Sequence, residues 1–159
     1  MQKKYVPLLV LCGLLIAFFF RFNALNQMPG GLFPDEAANG LDINLMEQGH
    51  LQPFYERGNG REALFFYLIW GAVKIGGRTP LAHHATSALV GFGAVFLCYL
   101  ATKKIFGYYS TQSVEEPDET NSSQSENRTD KATIVALLAL MLMAASSWHT
   151  VLSRTAFRA

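Results

Sequence analysis

Apolar residues in this chain gather in long blocks and do not alternate with polar ones. The blocks run over 5–20, 81–106 and 132–152. A stripe at a period of 2 or 3.6 residues is typical of a half-buried strand or helix, whereas about 20 consecutive apolar residues suffice to cross a bilayer. The pattern predicts an all-α, integral-membrane, multi-pass protein with spans at about 5–22, 81–106 and 132–152.

The first block resembles a secretory signal peptide in its basic start at Lys3 and Lys4. It ends, however, in three phenylalanines and Arg21, with no small-residue cleavage site after it. We therefore interpret it as an uncleaved first span.

A polar stretch over 21–80 follows, and its first helix is predicted over 35–48. Asp35 suits the N-cap, and Glu36 suits the first turn, where a carboxylate complements the helix dipole. The narrow apolar stripe of this helix consists of Leu41, Leu45 and Met46. Such a stripe favours a helix that lies along the membrane surface.

A second short apolar block within this stretch predicts a helix over 62–76. The block contains Lys74 and is shorter than a span, so an interfacial position is favoured. Tyr67 and Trp70 are residue types found at headgroup depth. We interpret this segment as a second juxtamembrane helix.

The segment over 107–131 is rich in Ser, Thr, Asn, Gln and acidic residues, which predicts a disordered polar loop. Lysine pairs abut the first and second spans and favour a cytoplasmic N-terminus, an external loop at 21–80 and a cytoplasmic loop at 107–131. If 63–76 crosses the membrane instead, 107–131 becomes external, and its glycosylation sequons at Asn121 and Asn127 become exposed.

Charge and cysteine content exclude several classes of function. The 159 residues include 13 Lys and Arg against 12 Asp and Glu, a formal net charge of +1, which is not the basic footprint of a nucleic-acid-binding protein. Cys12 and Cys98 both lie inside apolar blocks, so we expect neither a disulfide framework nor a zinc site.

The residues that could carry chemistry crowd the predicted external interface. Asp35 and Glu36 either form an ordinary acidic helix start or supply a carboxylate that accepts a proton from an acceptor hydroxyl. Arginines on the same predicted side either anchor the chain at the interface or bind phosphate, for which arginine is well suited. These arginines are Arg57, Arg61, Arg154 and Arg158.

Three histidines complete the candidate set. His83 and His84 stand at the outer start of the second span, where interfacial placement is the simpler interpretation. His149, near the outer end of the last span, is a candidate for lining a cavity, because polar groups at membrane depth usually face the protein interior.

The order of three short motifs along the chain resembles a known superfamily. These motifs are Phe-Pro-Asp-Glu-Ala at 33–37, Gly-Asn-Gly-Arg-Glu at 58–62 and Ser-Arg-Thr-Ala-Phe-Arg at 153–158. Together with the spans, they resemble the polyprenyl-phosphate-sugar-dependent glycosyltransferases of the GT-C superfamily, in particular the branch of protein O-mannosyltransferases and lipid A aminoarabinose transferases. The likeness covers the whole chain and corresponds to the N-terminal portion of those larger proteins.

The resemblance implies a larger GT-C-like helical bundle whose first external loop carries the two juxtamembrane helices. It implies that Asp35, with Glu36 beside it, is the catalytic carboxylate. It further implies transfer of a sugar from a polyprenyl-phosphate donor to a hydroxyl on a protein, lipid or glycan, on the extracytoplasmic side. Some members bind a divalent cation, but no metal ligand is assigned here. The residues implied in binding substrate and lipid phosphate are Arg61, Glu62, Arg154 and Arg158.

Two other classes of function remain open at this point. In a transporter fragment, or in a non-catalytic membrane anchor, Asp35 and Glu36 would only begin a helix. A transporter would place ionisable residues within its spans, whereas here they crowd the interface.

Overall fold

The computed structural model describes residues 3–57, 61–112 and 121–156, and these are mostly helical. The all-α prediction is confirmed, with one short hairpin added within the described residues. A single 3-10 turn at Lys3–Tyr5 precedes the first helix. The remaining elements are α1 (Val6–Phe22), α2 (Pro34–Glu47), β1 (Phe54–Tyr55), β2 (Arg61–Glu62), α3 (Leu64–Gly76), α4 (Pro80–Gln112), α5 (Asn121–Ala145) and α6 (Ser147–Arg154).

The hairpin of β1 and β2 was not predicted from the sequence. The strands are antiparallel and pair Phe54 with Glu62 and Tyr55 with Arg61. Two residues per strand are too few to produce a period-2 pattern, so the sequence carried no signal for them. Since Arg61 and Glu62 belong to β2, α3 begins at Leu64 and not at the predicted position 62.

The predicted polar loop over 107–131 is wrong at both ends. Helix α4 continues to Gln112, and α5 begins at Asn121. A polar composition does not exclude a helix, and no Gly or Pro interrupts 121–145. The middle of the predicted loop, 113–120, lies outside the described residues.

Across the predicted span at 132–152, the helix is interrupted at Ser146. Helix α5 ends at Ala145 and α6 begins at Ser147. Serine favours the residue that precedes a helix over a position within one, since its hydroxyl competes for backbone hydrogen bonds. The periodicity of the apolar block carries no sign of this interruption.

Among the described helices, α4 has a 30-residue segment, Pro80–Tyr109, that is long and apolar enough to cross a membrane. The Asp130–Ala145 part of α5 reaches that length and apolarity only when it is counted together with α6. The apolar helices α1 and α3, with 17 and 13 residues, are shorter. The arrangement of three spans therefore stays a prediction.

The chain divides into two compact units, each with its own core. The first unit combines residues 1–20 with 92–146 and therefore contains most of α1, the second part of α4, and α5. Small residues let these helices pack closely, since a Cβ added to Gly13 would lie 2.8 Å from Leu140 Cδ2. The core consists of Ala17, Val95, Tyr99, Ala136, Leu137, Leu140 and Ala144.

The second unit combines residues 21–91 with 147–159 and contains α2, the hairpin, α3, the start of α4, and α6. Its apolar core contains residues of α2, β1, α3 and α4. It also contains Ala156, which lies two residues after the end of α6. All three motifs quoted above therefore belong to this unit. The core consists of Ile43, Met46, Tyr55, Ala63, Phe66, Ile69, Val73, Ala82 and Ala156.

Within the second unit, Gly91 of α4 lies directly against Ser153 of α6. A Cβ added at Gly91 would lie 2.2 Å from Ser153 Cβ, which no real contact allows. We expect Gly91→Ala to lower the free energy of unfolding by about 1–3 kcal/mol, as overpacking does. Thermal unfolding of the purified protein in detergent would measure this effect.

Gly93→Ala is the matched control, because a Cβ at that position would meet nothing within 4 Å. It should raise stability by about 0.5–1 kcal/mol, since alanine loses less backbone entropy in a helix than glycine does. Ser153→Gly, which removes the opposing Cβ, should restore the stability of the Gly91→Ala variant. Equal effects at the two glycines would contradict the close α4–α6 contact.

Candidate active site at the start of helix α2

Helix α2 begins differently from the prediction that made Asp35 its N-cap. The N-cap is Phe33, and Pro34 takes the first helical position, where its missing N–H is harmless and its fixed φ suits the helix. The Glu36 carboxylate reaches back to accept a hydrogen bond from the Phe33 backbone N–H, with Oε2 at 2.7 Å. The Phe33 side chain has no acceptor for the backbone N–H of Glu36, so only the Glu36 half of a capping box is present.

The buried face of α2 is mainly polar and differs from the apolar stripe predicted to lie along the membrane surface. Of the predicted stripe, Met46 is buried, but Leu41 and Leu45 are 51% and 37% exposed. The side chains that face inward repeat at helical spacing, and polar ones lead the series. They are Glu36, Asn39, Asp42, Ile43 and Met46. The position of this helix along the membrane surface stays a prediction, and carboxylates and an amide form much of the face that packs against the protein.

Asp35 and Glu36 are neighbours in sequence, but they take opposite environments. One residue is about 100° of helix rotation, which is enough to place Asp35 at the exposed surface and Glu36 in the interior. The Glu36 side chain is fully buried. Only Asp35 is therefore accessible to a molecule outside the protein.

Glu36 and Asn39 hold the backbone of the segment that follows α6. The Ala156 N–H donates to Glu36 Oε1 across 120 positions of sequence. The Asn39 amide nitrogen donates to the Ala156 carbonyl at 3.2 Å, and Ser87 Oγ of α4 donates to the Thr155 carbonyl at 2.7 Å. Three side chains thus bind both sides of one short stretch, which we call the 155–156 clamp.

His84 adds a titratable group to the clamp. Its Nε2 lies 3.5 Å from Glu36 Oε1, and both side chains are almost completely buried. His83 is also buried, at 5% exposure. Tertiary packing buries both rings, and it places the His84 ring against a carboxylate that lies a whole helix and a hairpin away in the sequence. The position of the pair at the membrane interface stays a prediction.

Asp42 is a second buried carboxylate of α2, and it binds Arg57, which lies two residues after strand β1. Asp42 Oδ1 accepts from Arg57 Nε at 2.9 Å, with Asp42 buried and Arg57 about half exposed. Arg57 is therefore occupied in an internal ion pair. Beside it, burial raises the pKa of the Tyr55 phenol, which keeps this group protonated as the donor to the His50 carbonyl at 3.1 Å.

Arg154, for which binding of lipid phosphate stays a prediction, contacts the loop after α1. Its guanidinium donates to the Asn23 carbonyl at 2.8 Å and to the Met28 carbonyl at 2.7 Å. This fixes the approach to Phe33 and so helps to position the start of α2. Arg61 and Glu62 lie on β2, but their side chains are not among those described, and Arg158 lies outside the described residues.

Arg21 and His149 form a further pair in the second unit. Arg21 is fully buried and does not extend towards solvent as a residue that ends a span usually does. Its guanidinium contacts His149 Nδ1. His149 therefore faces a protein cation.

No group of three or more His, Cys, Asp and Glu side chains within the described part of the chain is arranged to hold a metal ion. Cys12 and Cys98 are both free thiols.

Sequence reasoning missed Asn39, Asp42 and Ser87, which build the interior of the site. A signal was present, since Glu36, Asn39, Ile43 and Met46 repeat at three- and four-residue steps, which is the period of one helix face. Polar residues at this spacing normally indicate the solvent-facing side of a helix, so the pattern did not predict a buried face.

Comparisons with known proteins add nothing to this geometry: no family model, no curated protein and no solved structure matches the chain.

Proposed function

We propose that this chain is part of an integral-membrane glycosyltransferase and carries its catalytic carboxylate. The enzyme transfers a sugar from a polyprenyl-phosphate donor to a hydroxyl acceptor on the extracytoplasmic side of the membrane. Asp35 is the general base in this proposal, and the buried polar side chains behind it hold α2 in position.

The surface of the first unit supports the membrane location. Large apolar side chains project outward from α1, α4 and α5, including Leu15 at 58%, Leu97 at 63% and Leu142 at 74% exposure. A soluble protein rarely exposes so much contiguous apolar surface, because each such side chain would lose the stabilisation that burial provides. Lipid tails would cover these side chains.

One observation carries the enzymatic part of the proposal: two of the three motifs that carry the family resemblance are bonded to each other. Glu36 of the Phe-Pro-Asp-Glu-Ala motif accepts from Ala156 of the Ser-Arg-Thr-Ala-Phe-Arg motif, and Asn39 binds the other side of the same residue. A helix start without a further role would not need hydrogen bonds to a segment so distant in the sequence. The contact holds Asp35 rigidly at the exposed first turn of α2.

The chemistry follows from an exposed carboxylate at a helix N-terminus. The Asp35 carboxylate takes the proton from the acceptor hydroxyl as the oxygen attacks the anomeric carbon of the donor. The bond between that carbon and the phosphate oxygen breaks, and its electron pair leaves with the polyprenyl phosphate. The result is inversion at the anomeric carbon, and cations near the phosphate stabilise the leaving charge.

In this proposal the arginines have two different roles, positioning a loop and binding the substrate. Arg154 orders the loop that leads to α2, because its guanidinium is bonded to the Asn23 and Met28 carbonyls. Arg61, Glu62 and Arg158 are proposed to contact the substrate and its lipid phosphate. Arginine matches phosphate oxygens in a bidentate geometry, which suits it to this role.

Cleavage of a labelled donor tests the proposal directly. The full-length protein is reconstituted in liposomes with polyprenyl phosphate carrying a radiolabelled hexose or pentose, and released polyprenyl phosphate is measured against protein-free liposomes. Cleavage, with water or an added hydroxyl acceptor taking the sugar, is the expected result. A transporter would move label across the bilayer with the sugar–phosphate bond intact, and an anchor would do neither. Either outcome would overturn the proposal.

A further inference from the structure

A groove lined by α1, α4 and α5 belongs to the first unit, whereas the candidate active site belongs to the second. The volume of the groove is about 610 Å³. One face of α1 supplies its apolar wall, with residues at the spacing of successive helix turns. These residues are Val6, Pro7, Val10, Leu11 and Leu14.

The other side of the groove is polar and carries both signs of charge. Tyr99 and Lys103 line it from α4, and Asp130 and Thr133 line it from α5. Lys103 lies one helix turn beyond Tyr99, and Asp130 one turn before Thr133. Both charges therefore lie at the end of the groove nearest the connection between α4 and α5.

The two charges differ in their surroundings. Lys103 is exposed, with its Nζ 5.9 Å from the centre of the Tyr99 ring, whereas Asp130 is half-buried. A long lysine side chain can follow apolar surface while its ammonium stays at headgroup level. The groove thus combines an apolar wall with one cation and one anion at the same end.

We infer that this groove binds a phospholipid whose headgroup carries both a phosphate and a primary ammonium, such as phosphatidylethanolamine. The acyl chain lies along the α1 wall, the phosphate pairs with Lys103, and the ammonium donates to Asp130. An anionic lipid without an ammonium places only negative charge beside Asp130. A choline lipid has no N–H to donate to that carboxylate.

This inference needs the chain to lie in a bilayer, but it does not depend on transferase activity. Lipid binding is measured without any sugar donor, so failure of the glycosyltransferase proposal would leave the result unaffected. Conversely, loss of lipid selectivity would leave the assignment of Asp35 untouched.

Competition among three lipids with identical oleoyl chains tests the inference. The full-length protein in detergent is mixed with the ethanolamine, choline and glycerol phospholipids in equal amounts, and the bound lipid is identified by native mass spectrometry. We expect the ethanolamine lipid to be retained about tenfold over the other two, as two charge-assisted contacts permit. Equal retention of all three would overturn the inference.

Two substitutions assign the selectivity to the charges. Lys103→Ala should lower retention of the ethanolamine lipid by about tenfold, whereas Lys104→Ala, the adjacent lysine outside this groove, should leave it unchanged. Asp130→Asn should abolish the preference for ethanolamine over choline. If Lys103→Ala and Lys104→Ala behave alike, the groove is not the binding site.

A bulky substitution and a cross-link identify the occupant of the groove. Val10→Trp should abolish selective retention, and Leu142→Trp is the matched control, because Leu142 is 74% exposed on α5. A photoreactive residue in place of Leu11 should form adducts with lipid in native membranes. Adducts with another protein segment, or unchanged retention in Val10→Trp, would overturn the inference.

Discussion

Replacing Asp35 with asparagine should lower the rate of donor cleavage by about 10²–10⁴-fold, which is the usual contribution of a general base. Asparagine keeps the size and polarity of the side chain but cannot accept the hydroxyl proton. Since Asp35 is exposed and belongs to the first turn of α2, the substitution should leave the fold unchanged. Released polyprenyl phosphate from reconstituted protein measures the rate, and thermal unfolding measures the fold.

Glu47→Gln is the matched control for loss of a negative charge on the same helix. Glu47 stands at the far end of α2 and pairs with Arg78. Both side chains are at least partly exposed, and such pairs contribute only about 0–1 kcal/mol to stability. The variant should keep nearly full activity. If Asp35→Asn retains activity comparable with Glu47→Gln, Asp35 is not the base.

Replacing Glu36 with alanine should have its main effect on stability. It leaves the buried Ala156 N–H without its acceptor, which costs about 1–3 kcal/mol, and it removes the capping bond to the more exposed Phe33 N–H, which costs about 0.5–1.5 kcal/mol. We expect a total loss of about 3 kcal/mol in the free energy of unfolding. Thermal unfolding in detergent gives the global effect, and amide exchange at Ala156 gives the local one.

The substitutions Asp35→Asn and Glu36→Ala should affect different properties of the protein. Amide exchange at Ala156 should accelerate at least tenfold in Glu36→Ala and stay at the wild-type rate in Asp35→Asn, because only Glu36 is bonded to that amide. Stability near the wild-type value in Glu36→Ala would show that the 155–156 clamp does not hold the segment after α6. A combined loss of activity and stability in both variants would contradict the division of roles between the two carboxylates.

Helix positions within the second unit were largely accessible from sequence. Proline at position 34 followed by two acidic residues indicates a helix start, and the observed α2 and α3 lie within two residues of the predicted segments. The exact N-cap was missed, because Asp35 is the better N-cap by residue type, whereas Pro34 prefers the first helical position. Local preferences competed here, and the prediction ranked them wrongly.

Burial depends on tertiary contacts that the sequence pattern does not show. Polar side chains lead the inner face of α2, whereas Leu41 and Leu45 point outward, as a stripe facing lipid would. His83 and His84 are buried as well. The rule that apolar side chains are buried and polar ones exposed therefore does not identify the inner face without knowledge of what surrounds the helix.

The composition of successive segments alone thus determined the helical class of this protein, the places where α2 and α3 form, and the crowding of acidic and basic groups around positions 33–62. These properties are local, because they depend on which side chains are neighbours along the chain. The tertiary structure alone decided that Asp35 is accessible while Glu36 is buried, and that Ala156 lies against α2. Such contacts join residues 120 positions apart, and the free energy that selects them comes from packing and from hydrogen bonds in an interior that no short segment specifies.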